Sequence, residues 1–167
     1  MPAARRPLLV VDGDNFAHRS YHALPKSIRR AGNRGAGAIV GFANFLLRRE
    51  RATRAVLVEW DTLGAPTYRQ TLFPAYQGGR EFDDELVEQL DLLPEFVVAC
   101  GFADAKAPGY EADDFLAAAA AEETRRKGHA LVASGDRDAF QPASDSVTIL
   151  HPVKAGEMAA IGPDEGP

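Results

Sequence analysis

The chain has 167 residues, 46% of them hydrophobic and 26% charged, which is typical of a single globular domain. Nineteen Lys and Arg residues stand against 24 Asp and Glu residues, so the net charge of −5 excludes a surface coated in positive charge for nucleic acid, but not a local basic patch or carboxylates that hold metal ions. The single cysteine, Cys100, cannot form an intramolecular disulfide, and the His and Cys residues lack the spacing of a zinc site. No apolar run is long enough to span a membrane, so we expect a cytoplasmic protein.

The first half of the chain alternates between strand-like and helix-like segments. Residues 8–11 are an apolar run that predicts a buried strand ending at Asp12. Residues 28–37 are rich in Arg and Gly, which is typical of a loop, and residues 38–49 have the apolar period of an amphipathic helix. Residues 55–60 predict a second buried strand.

The second half repeats this alternation. Residues 83–100 are helical in period, with Pro94 predicting a kink or a restart. Residues 111–127 predict a helix with acidic residues at its start and basic residues at its end, and residues 130–134 and 147–150 predict two more strands. Strands that alternate with helices predict an α/β fold with a mostly parallel sheet and helices on both faces.

Acidic residues follow three of the predicted strands, as Asp12, Asp61 and Asp136. The carboxyl ends of parallel strands share one edge of a sheet, so we expect these side chains to converge. A crowd of carboxylates repels itself unless it is neutralised, and Mg²⁺ or Mn²⁺ prefers such oxygen ligands. Two such ions can activate a water molecule and stabilise the leaving oxygen of a phosphodiester. The candidate ligands are Asp12, Asp61, Glu111, Asp113, Asp114, Asp136 and Asp138.

Each of these acids also has an ordinary structural interpretation. An Asp after a strand is usually a turn or cap residue, and acids in a first helical turn usually complement the helix dipole. The combination of all of them is what favours a functional site. We interpret Asp14 and Asp145 as turn or surface residues, and Arg29, Arg30 and Arg34 as candidate phosphate contacts.

Several segments, in order along nearly the whole chain, resemble the 5′-3′ exonuclease family, which includes the amino-terminal nuclease domain of bacterial DNA polymerase I, phage 5′ nucleases and flap endonucleases. They are residues 9–13, 19–23, 60–61, 76–80, 109–114 and 134–138. The resemblance implies a three-layer, PIN-like α/β domain, two divalent metal ions, and cleavage of DNA near a 5′ end or flap. The seven candidate ligands match the metal-site acids of the family.

The resemblance also implies roles for residues outside the acidic set. Arg19, Tyr76 and Arg80 match residues that handle the substrate strand near the scissile phosphate, and residues 76–96 match the helical arch of the family. Gln77 stands where the family usually has a Lys that stabilises transition-state charge, so this contribution should be weaker here. The implied catalytic residues are Asp12, Asp61, Asp113, Asp136 and Arg80, and the implied DNA contacts are Arg19, Tyr76, Gln77 and Arg80.

The resemblance predicts that residues 1–153 form the nuclease domain, followed by a Gly- and Pro-rich tail, residues 154–167, without a regular element. Nothing after Leu150 resembles the helix–three-turn–helix DNA-binding region of the family or its last pair of acids. We therefore expect an amino-terminal half, to be completed by a carboxyl-terminal region or a partner protein. A PIN-domain ribonuclease, a haloacid-dehalogenase-like phosphatase and a weak or inactive nuclease-like domain that binds nucleic acid or a partner are the alternatives.

Overall fold

The computed structural model describes residues 5–62, 72, 83–154 and 156–165. Within these ranges the chain forms eight strands and four α-helices, and none of these helices is long and apolar enough to cross a bilayer. In chain order the elements are β1 (Leu8–Asp12), α1 (Gly13–Ala23), β2 (Arg29–Arg30), β3 (Arg34–Gly35), α2 (Gly37–Arg49), β4 (Ala55–Glu59), α3 (Asp84–Ala99), β5 (Ala103–Ala105), α4 (Ala112–Arg125), β6 (Ala130–Ala133), β7 (Val147–Pro152) and β8 (Met158–Ile161).

Six of the strands form one sheet in the order β5-β4-β1-β6-β7-β8. Every neighbouring pair is parallel except β7 and β8, which are antiparallel. β1 lies at the centre, where it pairs Leu9 with Val56 of β4 and with Leu131 of β6. The predicted α/β class with a mostly parallel sheet is therefore confirmed.

Two apolar cores separate the chain into three layers. On one face, α1, α2 and α3 bury Phe42, Leu46 and Leu93 against the sheet. On the other face, α4 buries Leu116 and Ala120 against the central strands. Burying one large apolar side chain contributes about 1.5–3 kcal/mol, so these two cores fix the helices on both faces and, with them, the position of every strand end.

Three elements differ from the sequence-based expectation. Helix α1 was not predicted, since its composition is largely polar and its buried face is narrow. The segment 154–167 was expected to lack a regular element, but β8 lies within it and pairs with β7. Helix α3 does not restart at Pro94, because Leu90, Leu93 and Val97 are buried on either side of the proline and hold both parts against the core, whereas a kink there stays a prediction.

Close packing at the start of α1 explains why a glycine follows Asp12. A Cβ atom on Gly13 would lie 2.5 Å from two ring carbons of Trp60. The Trp60 ring is itself buried and packs against Phe42 with ring centroids 5.6 Å apart. The indole therefore has little room to retreat, and the first turn of α1 approaches β4 only because residue 13 has no side chain.

We expect Gly13→Ala to lower the free energy of unfolding by about 1–3 kcal/mol, since overpacking a filled site costs this much. Gly162→Ala is the matched control, because no atom lies within 4 Å of its added Cβ and its effect should stay within about 0.5 kcal/mol. Urea unfolding followed by the fluorescence of Trp60, the single tryptophan, measures both variants. Equal stabilities would contradict this account of the contact.

Candidate active site

The carboxyl ends of β1, β4 and β6 meet at one edge of the sheet. β1 pairs in parallel with both β4 and β6, so the residues that follow the three strands emerge side by side. These residues include Asp12, Asp61 and Asp136, as the sequence predicted. The first turn of α4, which carries Asp113, approaches the same edge, since the Ala112 amide of this turn donates a hydrogen bond to Asp61 Oδ1 at 2.8 Å. We call these strand ends and this helical turn the acidic edge.

Asp12 lies at the centre of the acidic edge and is 6% exposed. It is the N-cap of α1, where its Oδ1 accepts a hydrogen bond from the Asn15 amide at 3.0 Å. Its Oδ2 accepts from the Ser134 hydroxyl at 2.9 Å. Burial raises the pKa of Asp12 to about 7, the charges of Asp61 and Asp113 add to the rise, and the two hydrogen bonds oppose it.

Asp61 connects β4 to the starts of two helices. Its Oδ1 accepts a hydrogen bond from the Ala112 amide of α4 at 2.8 Å, and its own amide donates to Asp14 Oδ2 at 2.6 Å. The interpretation of Asp14 as a turn or surface residue is therefore wrong. Burial raises the pKa of Asp14 to about 7, and the negative charges of Asp61 and Asp12 contribute, so Asp14 belongs to the acidic edge.

The acids at the start of α4 also serve the helix itself. Glu111 and Asp114 form a reciprocal capping box, in which the Glu111 side chain accepts from a backbone amide of the first turn and Asp114 Oδ2 accepts from the Glu111 amide at 3.0 Å. Glu111 is buried, whereas Asp113 and Asp114 are partly exposed. Glu111 and Asp114 therefore cap the helix, as the structural interpretation expects, and they still lie at the acidic edge.

Asp136 and Asp138 lie on the exposed side of the acidic edge. The Asp136 amide donates to Ser134 Oγ at 3.1 Å, and the Asp138 amide donates to Asp136 Oδ1 at 3.0 Å. The Ser134 hydroxyl therefore links the loop after β6 to Asp12 at the end of β1. The sequence analysis did not identify Ser134, because a Ser at the end of a strand has no distinctive pattern.

Glu59, the last residue of β4, is a buried acid that the sequence analysis also missed. Its side chain is fully buried, and neither carboxylate oxygen has a hydrogen-bond partner in the part of the chain that the structure describes. Burial raises the pKa of Glu59 to about 9, and the charges of Asp12 and Asp113 contribute. Its position directly before the Trp-Asp pair, inside an otherwise apolar strand, is the signal that would have found it.

The donor set at the acidic edge fits a hard divalent cation. Every candidate group is a carboxylate, and burial raises the pKa values of Asp12, Asp14 and Glu59, so a nearby cation would favour their charged forms. Among the described residues, no three acidic, His or Cys side chains converge closely enough to hold one ion by themselves. Mg²⁺ usually keeps several water molecules and uses one or two carboxylates together with substrate phosphates, which agrees with this more open arrangement.

A cleft with several cationic side chains lies beside the acidic edge. Its volume is about 760 Å³, and it is formed by α1, α2 and the turn between β7 and β8. Arg19 lines the cleft and also approaches Gly135 after β6, where an added Cβ would lie 3.3 Å from Arg19 Nη1. The other cationic side chains of the cleft are Arg48, Arg49 and Lys154. We call it the basic cleft.

Arg29, Arg30 and Arg34 are engaged by acids of α3. Arg29 pairs with Glu85, and both Arg30 and Arg34 pair with Glu88, at 2.8 and 2.7 Å. These ion pairs dock the short β2–β3 hairpin on α3, so a phosphate would have to compete with two carboxylates. Phosphate contact by these arginines stays a prediction. Tyr76, Gln77 and Arg80 lie outside the described residues, as do all of residues 76–82 in the region matched to the arch. Residues 84–96 of that region belong to α3.

The chain matches a family model described as the 5′-3′ exonuclease, N-terminal resolvase-like domain, over residues 7–165. This chain belongs to that family. It is 32% identical to DNA polymerase I of Mycobacterium tuberculosis over 166 residues, which are 96% of this chain and 18% of that protein. It is 35% identical to the 5′-3′ exonuclease of the same organism over 158 residues, which are 84% of this chain and 48% of that protein.

Solved structures of low sequence identity share the fold of this 5′-3′ exonuclease domain. The T5 D15 protein co-crystallised with metal ions has a TM-score of 0.68 at 23% identity, over 87% of this chain and 55% of that chain. The catalytic core of Rad2 in complex with a DNA substrate has a TM-score of 0.55 at 17% identity, over 96% of this chain and 49% of that chain. The domain therefore spans less than a fifth of the polymerase and about half of these nucleases.

The raised pKa values predict how the stability of the metal-free domain depends on pH. Asp12 and Asp14 have pKa values of about 7 in the folded state against an ordinary value of 3.8, so between these values the folded chain binds more protons than the unfolded chain. The free energy of unfolding is then highest at the acidic end of this range and falls as the pH rises to 7. Because the pKa of Glu59 is raised to about 9, its contribution continues to fall up to that pH.

We expect urea unfolding in EDTA to give a free energy of unfolding that decreases from pH 5 to pH 8. Asp12→Asn should flatten this decrease, because its amide does not ionise. Asp145→Asn is the control, since this exposed acid lies outside the acidic edge and its removal should leave the slope unchanged. A stability that is flat or rises over this range in the wild-type domain would show that the acids are not coupled as described.

Proposed function

We propose that this domain is a divalent-metal-dependent 5′ nuclease that hydrolyses phosphodiester bonds of DNA near 5′ ends or flaps. The observation that carries the proposal is the placement of Asp12, Asp61 and Asp136 at the ends of three adjacent parallel strands, with the acidic first turn of α4 hydrogen-bonded to Asp61. Membership of the 5′-3′ exonuclease family supports it. The solved T5 flap endonuclease with DNA and metal ions is similar in fold.

In this proposal, Mg²⁺ or Mn²⁺, with two ions at the site, supplies Lewis-acid activation of water and stabilisation of the leaving oxygen when bound. The residues that would hold the ions are Asp12, Asp61, Glu111, Asp113, Asp114, Asp136 and Asp138. Asp14 would hold Asp61 in position, because Asp14 Oδ2 accepts a hydrogen bond from the Asp61 amide. Ser134 and Asn15 orient Asp12, so that its two oxygens are fixed before substrate arrives.

The substrate strand would be positioned by cationic groups next to the acidic edge. Arg19 lies between the end of β6 and the basic cleft, so it can contact a phosphate close to the ions. Arg48, Arg49 and Lys154 add positive charge to the same cleft, which Glu157 also lines. This local group of cationic side chains supports phosphate binding in a chain whose net charge is −5. Tyr76, Gln77 and Arg80 are proposed strand contacts from the family resemblance.

We expect the domain to cut a 5′-labelled DNA flap in the presence of Mg²⁺ or Mn²⁺. Asp113→Asn and Asp136→Asn should each lower the rate at least about 100-fold, because even outer-shell partners of a metal typically cost 10- to 100-fold. Asp145→Asn should cut at the wild-type rate. Denaturing gels that resolve the labelled product at a series of times measure all four proteins.

A matching single-stranded RNA separates this proposal from a PIN-domain ribonuclease. Cleavage of the RNA but not of the flap would establish the ribonuclease instead. No cleavage of either substrate by the folded domain would favour a nuclease-like module that binds nucleic acid without cutting, or one that needs the region present in its longer relatives.

Gln77 should limit the rate, since a neutral amide contributes less to transition-state charge than the ammonium group usual at this position. We expect Gln77→Lys to raise the rate of flap cleavage about tenfold under saturating metal. Gln141→Lys adds the same charge at an exposed position after β6 and controls for a general increase in DNA affinity. A similar gain in both variants would assign the effect to net charge.

A further inference from the structure

Glu59 is a buried acid whose carboxylate has no partner in the described structure. It is 0% exposed, and neither of its oxygens accepts a hydrogen bond within the described ranges. By comparison, Asp12 accepts two hydrogen bonds, and one of the two carboxylate oxygens of Glu123 pairs with Arg54, whereas both oxygens of Glu59 lack a partner. The last residue of a strand buried on both faces is ordinarily apolar, so an uncompensated acid there calls for a ligand.

The register of the sheet places Glu59 on the face of the acidic edge. In the parallel pair β1–β4, Glu59 is the direct partner of Asp12, so both side chains project from the same face. Its chain neighbours Val58 and Trp60 belong to the opposite core, packed under α1 and α2. The face that carries Glu59 is the one that α4 covers, and α4 begins with the acids of the candidate ion site.

We propose that Glu59 is a buried carboxylate of the divalent-ion site that lies beside Asp12 and raises the affinity for the cation. This inference rests on the proposed metal-dependent function and adds an acid outside the seven ligands named above. Glu59 is a positioning residue: it lies on the protein side of the site, and a bound cation would provide the compensation that no described group gives its carboxylate. In a poorly solvated interior, one charge acts on an ion over several ångströms, so its effect does not require direct coordination.

The inference is tested by titrating the domain with Mn²⁺ at fixed pH and measuring free Mn²⁺ by electron paramagnetic resonance. Glu59→Gln keeps the shape but cannot become negatively charged in the presence of the cation, and we expect at least about tenfold weaker binding. Glu59→Leu removes every polar atom and should weaken binding as much. Glu95→Gln removes one charge at an exposed position of α3, outside the acidic edge and the basic cleft, and should bind Mn²⁺ like the wild type.

Thermal unfolding separates this role from a structural one. If Glu59 serves the cation, Glu59→Gln and Glu59→Leu should be at least as stable as the wild type without metal, and Mn²⁺ should raise their melting temperature less. Binding of Mn²⁺ to Glu59→Gln within twofold of the wild type would overturn the inference. So would a loss of metal-free stability in both variants that accounts for the weaker binding.

Asp113→Asn distinguishes failure of this inference from failure of the proposed function. Weak Mn²⁺ binding by Asp113→Asn with normal binding by Glu59→Gln would leave the metal site in place and remove Glu59 from it. Absence of Mn²⁺ binding by the wild-type domain would overturn the metal-dependent function and the role of Glu59 together.

Discussion

The acidic edge depends on one constraint: a parallel sheet brings the carboxyl ends of its central strands to the same place. β1 carries this constraint, because it is hydrogen-bonded along its length to both β4 and β6. Acids at the ends of these strands therefore lie on neighbouring strands at the same edge, and Asp12, on the central strand, is buried. The fold therefore holds a concentration of negative charge that isolated side chains in water would disperse, and it does so with the packing energy of two apolar cores.

Backbone amides and hydroxyls oppose part of this repulsion. Asn15 and Ser134 donate to Asp12, and the Ala112 amide donates to Asp61. The same hydrogen bonds connect β1 to α1, β6 to β1 and β4 to α4, so they set the spacing of the carboxylates while they stabilise the charges. The close approach of Gly13 to Trp60 serves the same end, because it places the N-cap of α1 against β4. The repelling carboxylates of the acidic edge are thus held together by hydrogen bonds from neighbouring groups and by packing outside the edge.

Residue pattern was sufficient to predict the layers of the fold and the acids that end its strands. Short apolar runs before Asp12, Asp61 and Asp136 predicted three buried strands, and the charge gradient along α4 predicted that helix within two residues at each end. The pattern failed where a contact across the sheet decides the outcome. Asp14 belongs to the site because the Asp61 amide donates to it, and β8 forms because β7 offers an unpaired edge. Neither relation has a signature within a single segment.

Helix α1 connects the negative and the positive parts of the candidate site. Its first turn carries Asp14 and is capped by Asp12, whereas Arg19, one and a half turns later, lies in the basic cleft. The cleft is completed by Arg48 and Arg49 at the end of α2, which packs along α1. The place of these two arginines in the last turn of α2 also allows them to complement the helix dipole. A phosphate chain in this cleft would be attracted by the cationic side chains, so under the proposed function the carboxylates of the acidic edge would not have to attract it themselves.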